Sequence, residues 1–179
     1  MPVDRRIERQ TGLRLTLEAE GLDGLVITHL PNIRYLTGFT GSAAVLLVRN
    51  DATVLVSDFR YATQAPAEVG GSAVVEIDQR SVWDRLGRVL HDGGIERLGI
   101  EAHIMSVKDA DRLSGLTPAR LVPVAELVEH QREIKSPEVR RATSPICERM
   151  ASTTWTHRSS RAFRSGVRLR WRPDLMRSS

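Results

Sequence analysis

The sequence predicts an α/β fold in which helices cover one mixed β-sheet. Three observations predict it. Short apolar runs recur between residues 25 and 122, segments with helical periodicity separate most of them, and a tight Asn50-Asp51 turn joins one pair. Strands that alternate with helices favour parallel pairing, whereas a tight turn favours an antiparallel hairpin. We therefore expect both kinds of pairing in one sheet.

The predicted helices are recognised from the spacing of their apolar residues and from their end signals. The first spans residues 4–20, begins with Asp4 and ends at Gly21, a residue suited to a left-handed conformation at a helix C-terminus. Ser106 resembles the capping residue of a later helix. The other predicted segments are a turn or one helical turn from Pro31 through Leu36, and helices at 59–68 with an interruption at Pro66, 82–90 and 106–113.

The predicted strands are short and apolar on both sides, a pattern typical of strands covered on both faces of a sheet. They are residues 25–27, 43–48, 53–56, 73–77, 98–100 and 121–122. The second and third form the predicted hairpin. The remaining strands are connected through helices, so the sequence leaves their order in the sheet open.

Composition excludes several classes of protein. The chain has 179 residues, of which 41% are hydrophobic, and its single cysteine is Cys147, which rules out a disulfide framework and a cysteine zinc cluster. No run approaches the ~18 apolar residues of a membrane span. The charged N-terminus lacks the apolar core of a secretory signal. We therefore expect a cytoplasmic protein without a membrane segment.

Charge is distributed unevenly along the chain. Residues 1–135 contain 16 basic and 19 acidic residues, whereas residues 136–179 contain 10 and 3. The sequence therefore predicts three parts: an α/β domain at 1–130, a linker with the start of a helix at 131–150, and an irregular, poorly structured basic tail at 151–179. The tail combines arginines with Trp155 and Trp171, but no recognised nucleic-acid fold accompanies it. Nucleic-acid binding is thus the weakest of the alternatives.

Local motifs for catalysis are few. The five histidines form no short-spaced ligand pair, and Gly38-Phe39-Thr40-Gly41 lacks the context of a phosphate loop. The sequence therefore predicts no metal ligand, catalytic residue or cofactor in this chain. Asp58 and Arg60 directly follow a buried strand, which is consistent with a functional loop or with a local ion pair and helix cap.

Several segments together resemble one family. Leu30 to Val48 (LPNIRYLTGFTGSAAVLLV), Leu55 to Ala65 (LVSDFRYATQA), Leu98 to Ser106 and Leu121 to Ala142 are similar, in this order, to the N-terminal domain of Xaa-Pro aminopeptidases, prolidases and creatinases. The resemblance implies a ribonuclease H-like α/β domain with a mixed sheet. It also implies a following pita-bread domain, in which two Asp, one His and two Glu hold two divalent metals, usually manganese. These metals activate water to attack the bond before proline.

The same resemblance implies roles for particular residues. Five positions that match the family's loop motifs are candidates for the substrate entrance or for subunit contacts: Tyr35, Phe39, Asp58, Arg60 and Tyr61. The sequence differs from many members at Phe59, where they have Gly or Ser.

The end of the sequence departs from the family. After Met150 it contains one Asp, one His and no Glu, so the dinuclear site is expected to be missing and the chain to be inactive alone. The main expectation is a truncated Xaa-Pro aminopeptidase-like protein that retains the non-catalytic α/β domain. Two hypotheses account for its tail: a frameshift near residues 144–151, or a genuine stand-alone module. A second copy of the chain or an intact peptidase paralogue is the candidate partner. The alternative is a binding module for an intact paralogue, and a peptide substrate would require a catalytic domain supplied by a partner.

Overall fold

Six strands and six α-helices make up residues 4–133, the part of the chain that the computed structural model describes. The strands are β1 (Gly24–Ile27), β2 (Ala44–Arg49), β3 (Thr53–Asp58), β4 (Val74–Asp78), β5 (Arg97–Glu101) and β6 (Arg120–Val124). The helices are α1 (Arg6–Ala19), α2 (Leu30–Thr37), α3 (Gln64–Val69), α4 (Val82–His91), α5 (Val107–Ser114) and α6 (Leu127–Glu133). Most of the predicted linker and the whole predicted tail lie outside the described residues.

The strands form one mixed sheet in the order β4-β3-β2-β1-β5-β6. Strand β2 pairs antiparallel with β1 and β3, so that Leu46 lies opposite both Ile27 and Leu55. All other neighbouring strands are parallel. The predicted mixed α/β sheet is therefore confirmed. Because only β2 runs in reverse, the C-terminal ends of the other five strands share one edge with the start of β2. We call this edge the carboxyl edge.

Helices cover both faces of the sheet. On one face, α1, α2, α3 and α6 pack on the strands through a cluster that includes Leu17, Leu36 and Val128. On the other face, α4 and α5 pack through Leu86, Leu90 and Leu113. The central strands contribute alternate residues to the two clusters, which explains why their sequences are apolar without interruption. Among the described residues, no helix combines the length and apolarity of a membrane span.

The helix ends follow the sequence signals, with one exception. The hydroxyl of Ser106 accepts a hydrogen bond from the Asp109 N–H at 3.1 Å, and Gly21 has a φ of 63° after α1, as predicted. The predicted interruption at Pro66 is wrong. A 3-10 turn at Phe59–Tyr61 precedes α3, and Pro66 lies in the first turn of α3. Backbone N–H groups in a first turn have no acceptor within the helix, so a proline there breaks no helical hydrogen bond.

Candidate functional site

Two polar clusters lie at the carboxyl edge. The first, which we call the Tyr61 cluster, contains Phe39, Ser42, Asp58, Arg60 and Tyr61. The second, the Glu101 cluster, contains His29, Asn32, Glu101, His103 and Glu129. Ligands of open α/β sheets bind at this kind of edge, so both clusters are candidate functional sites.

Asp58 organises the loop that follows β3. Its Oδ1 accepts a hydrogen bond from the Arg60 N–H at 3.0 Å and caps the 3-10 turn. Its Oδ2 accepts a second bond from the Arg60 guanidinium at 2.6 Å, and this bond, above all, holds the pKa of Asp58 below its ordinary value. The local ion pair and helix cap that the sequence suggested are therefore present.

Tyr61 connects this loop to the segment before β2. Its hydroxyl lies 2.8 Å from the Ser42 hydroxyl and accepts a hydrogen bond from the Ser42 N–H at 3.0 Å. These hydrogen bonds lower the pKa of Tyr61, because they stabilise the phenolate. The Tyr61 ring also meets the buried Phe39 ring edge to face, with centroids 5.3 Å apart. Both rings pack directly on the backbone of Gly41.

The outer side of the Tyr61 cluster is open to solvent. Phe59 is 60% exposed, and the Arg60 side chain is 58% exposed although its guanidinium is held by Asp58. The exposed surface therefore combines an aromatic ring with a preoriented arginine. Aromatic residues, phenylalanine among them, and arginine are enriched in protein interfaces.

Tyr35 lies apart from the other four candidate residues. Its hydroxyl donates a hydrogen bond to the Gln131 carbonyl at 3.1 Å, and the Arg9 guanidinium lies 4.2 Å from its ring centroid. It thus connects α1, α2 and α6. The structure brings Phe39, Asp58, Arg60 and Tyr61 together and places Tyr35 in a helix contact.

Glu101 is the centre of the second cluster. It ends β5 and is only 3% exposed. Its Oε2 accepts backbone hydrogen bonds from Thr28 at 2.8 Å and His29 at 3.0 Å, at the start of α2. Its Oε1 accepts one from the Asn32 amide at 2.7 Å. These donors replace the water that the buried carboxylate has lost.

Glu129 joins the cluster from α6. The Asn32 amide nitrogen donates to Glu129 Oε1 at 2.6 Å as well as to Glu101. His29 Nδ1 and His103 Nε2 lie 3.4 and 3.3 Å from the same Glu129 oxygen. Burial acts to raise the pKa of Glu129, but the Asn32 hydrogen bond and the nearby His103 outweigh it, so that the pKa is lowered. The amide of Asn32 is therefore shared by two carboxylates.

A groove of about 480 Å³ lies on the α4 and α5 side of the carboxyl edge. Its walls include Trp83, Arg80 and Arg112, and Arg112 donates a hydrogen bond to the Ser81 hydroxyl at 3.0 Å. The only carboxylate in its lining is Asp109. This chemistry suits binding rather than acid–base catalysis, which requires a matched proton donor and acceptor.

Sequence reasoning did not single out Glu101, Glu129 or Asn32. One signal was available: Glu101 directly follows a buried strand, as Asp58 does. No local signal could have joined these residues, since Glu101 lies 69 residues from Asn32 and Glu129 lies 97 residues from it. Only the sheet order brings their strands and helices to one place.

A mixed sheet with helices on both faces and polar loops at its carboxyl edge is also the fold of the N-terminal domain of a solved peptidase. The sequence model of the Creatinase/Prolidase N-terminal domain family matches residues 9–134. The chain belongs to this family, which confirms the resemblance.

Individual relatives agree with this assignment. The chain is 40% identical over 119 residues to the uncharacterized peptidase YqhT of Bacillus subtilis (strain 168), a match that covers 66% of this chain and 33% of YqhT. The structure of an Xaa-Pro dipeptidase from Bacillus anthracis matches with a TM-score of 0.70 and 27% identity, over 74% of this chain and 37% of that one. The N-terminal domain of the cytoplasmic peptidase PepQ from Mycobacterium tuberculosis H37Rv matches with a TM-score of 0.64 and 36% identity, over 69% and 97%. The chain thus matches about a third of the length of YqhT.

Proposed function

We propose that this chain acts as the non-catalytic N-terminal domain of an Xaa-Pro peptidase, which contributes subunit contacts and shapes access to the substrate. One observation carries the proposal. The family match covers the α/β domain, whereas the residues after Met150 include one Asp, one His and no Glu. They cannot supply the two Asp and two Glu that the family resemblance implies for a dinuclear site. These 179 residues alone therefore do not hydrolyse peptides.

The Tyr61 cluster supports the contact role. Phe59 and Arg60 are exposed, and their backbone lies in a 3-10 turn that Asp58 caps. Binding through a preordered loop costs less conformational entropy than binding through a mobile one. We propose this loop as the surface that contacts a peptidase subunit, in the cytoplasm, where the relative PepQ is described.

A peptidase assay tests the catalytic part of the proposal. The purified chain, incubated with an Xaa-Pro peptide and excess Mn²⁺, should release no product, because the metal-activated water of the family mechanism requires the full ligand set. The B. anthracis dipeptidase serves as the positive control under the same conditions. Turnover by the purified chain, after removal of contaminating peptidases, would refute this part.

Co-purification tests the contact part. A tagged chain should retain an intact Xaa-Pro peptidase, such as the B. anthracis enzyme, and Phe59→Ala should weaken retention about tenfold, as expected for an exposed aromatic anchor. Leu15→Ala is the matched control, because Leu15 is also an exposed apolar residue but lies on α1. Equal retention by both variants would assign the contact to another surface, and no retention of the parent chain would remove the proposed partner.

A further inference from the structure

His29 carries a polar atom whose position in the structure is unexplained. Its Nδ1 is buried and has no hydrogen-bond partner, although Glu129 Oε1 is only 3.4 Å away. Burial of a nitrogen without a hydrogen-bond partner normally makes folding less favourable, because the nitrogen gives up its hydrogen bonds to water. The Nδ1 lone pair or proton of His29 is therefore available to a further ligand beside Glu129 Oε1.

The spacing of the surrounding atoms fits a metal ion as the partner of His29 Nδ1. Zn²⁺ binds imidazole nitrogen and carboxylate oxygen at about 2.0–2.2 Å in a tetrahedron, so that adjacent ligand atoms lie about 3.3 Å apart. Glu129 Oε1 lies 3.4 Å from His29 Nδ1 and 3.3 Å from His103 Nε2. A ligand atom of Glu101 also lies within 4.8 Å of ligand atoms of both His29 and Glu129. His29, Glu101 and Glu129 thus have the donor types of a zinc site and lie close enough together to share one ion, and His103 Nε2 lies beside Glu129.

The charges of the cluster also favour a cation. Glu101 and Glu129 contribute two carboxylates, and among residues 4–133 neither forms an ion pair with an arginine or lysine. The nearest guanidinium, that of Arg132, instead donates to the Asn32 carbonyl oxygen at 2.8 Å. A divalent cation would balance both carboxylates, of which Glu101 is buried and Glu129 is 20% exposed.

The hydrogen bonds of Glu101 leave room for such a ligand. Both backbone donors bind Oε2, whereas Oε1 accepts a single bond from Asn32. A carboxylate oxygen has two lone pairs, so Oε1 retains one. The backbone and Asn32 would thus hold the carboxylate in place for the metal, as outer ligands commonly do in metal sites.

We propose that His29, Glu101 and Glu129 form a site for one divalent cation, that His103 beside Glu129 is its fourth donor, and that Zn²⁺ is the ion it prefers. The ion would connect three elements that are far apart in sequence: the segment before α2, the segment after β5, and α6. It would therefore fasten α6, the last described helix, to the carboxyl edge. This proposal does not depend on the peptidase role.

Calorimetric titration of Zn²⁺ into the full chain tests the site. The experiment uses a Cys147→Ser background, because Cys147 is the only thiol and could bind zinc itself. One Zn²⁺ per chain should bind, and His29→Gln and Glu129→Gln should each weaken binding about tenfold or more. Co²⁺ should bind at the same site with the intense visible absorption of tetrahedral coordination.

Two further variants make the result specific. His103→Gln changes a partly exposed side chain without affecting the backbone contacts of Glu101, and it should weaken binding even if the Glu129 variant folds poorly. His130→Gln is the matched control, since His130 lies on the same helix as Glu129 but faces Glu126 at 3.9 Å. Far-ultraviolet circular dichroism verifies the fold of each variant.

Several outcomes would overturn the proposal. The absence of saturable binding by either metal would do so, as would binding that His130→Gln weakens as much as His29→Gln does. Destabilisation by His29→Gln without any metal binding would show that the imidazoles only form ion pairs with Glu129.

Discussion

The Tyr61 cluster and the Glu101 cluster lie on the same edge of the sheet but are built in different ways. In the Tyr61 cluster, Asp58 binds its neighbour Arg60, and Tyr61 binds Ser42 over 19 residues, mostly at the surface. In the Glu101 cluster, Asn32 binds two carboxylates over 69 and 97 residues, at least partly buried. One cluster is local and exposed, and the other is long-range and largely removed from water.

This difference determines how much each cluster contributes to stability. When a substitution breaks an exposed ion pair, water replaces the lost partner, and the free energy of unfolding changes little. Water cannot replace the partners of a buried carboxylate. Loss of one of its hydrogen bonds therefore lowers the free energy of unfolding more. We therefore expect the largest effects of substitution in the Glu101 cluster and the smallest at the exposed hydroxyl of Tyr61.

Removal of the Glu101 carboxylate should give the largest effect. Glu101→Ala leaves the N–H groups of Thr28 and His29 and the amide of Asn32 without their acceptor. We expect the free energy of unfolding to fall by about 3 kcal/mol, since each unsatisfied buried donor costs roughly 1–3 kcal/mol and the structure relaxes in part. Urea denaturation of the full chain, followed by circular dichroism, measures this change.

The control for this measurement is Glu18→Ala, which removes an exposed carboxylate from α1. Exposed substitutions of this kind change stability by about 0.5 kcal/mol or less. If the two variants lost similar amounts of stability, burial of Glu101 would not distinguish the clusters, and the comparison would fail.

Gly41→Ala should have an intermediate effect, in the packed part of the Tyr61 cluster. A Cβ atom at this position would lie 2.2 Å from Phe39 Cζ and 2.7 Å from Tyr61 Cε1. Phe39 is only 1% exposed, so its ring has little space to move. We expect a loss of about 2 kcal/mol, typical of overpacking, in the same denaturation experiment.

Gly71→Ala provides the matched control, because no atom lies within 4 Å of the position of its added Cβ. It should leave stability unchanged or slightly increased. If Gly41→Ala left the free energy of unfolding unchanged, the rings of Phe39 and Tyr61 would pack less tightly on Gly41 than the structure shows.

The same contrast explains what the sequence could predict. The hairpin at Asn50-Asp51, the cap at Ser106 and the contact between Asp58 and Arg60 depend on residues close in sequence, and all three were predictable. The Glu101 cluster depends on the order of β1, β5 and α6, which no local pattern encodes. The error at Pro66 has a related cause, because a proline ends a helix or begins one depending on which turn it occupies.

The smallest effect concerns the ionisation of Tyr61. The chain has two tyrosines, so Tyr35→Phe leaves Tyr61 as the only phenol that titrates. Ultraviolet titration of this variant should give a pKa below the ordinary tyrosine value, chiefly because of the hydrogen bonds with Ser42. Since the folded-state pKa is the lower one, the phenolate stabilises the fold above the unfolded-state pKa, and this contribution disappears as the pH falls through the folded-state pKa.

Ser42→Ala in the same background separates the two bonds that lower this pKa. The variant loses the hydroxyl but keeps the backbone N–H, so the pKa of Tyr61 should rise only part of the way to its ordinary value. Ser114→Ala, which removes an exposed hydroxyl from the end of α5, should leave it unchanged. If Ser42→Ala had no effect, the hydroxyl contact would be exchanged freely for water, and the Tyr61 cluster would be held together by its rings and by the Asp58 turn alone.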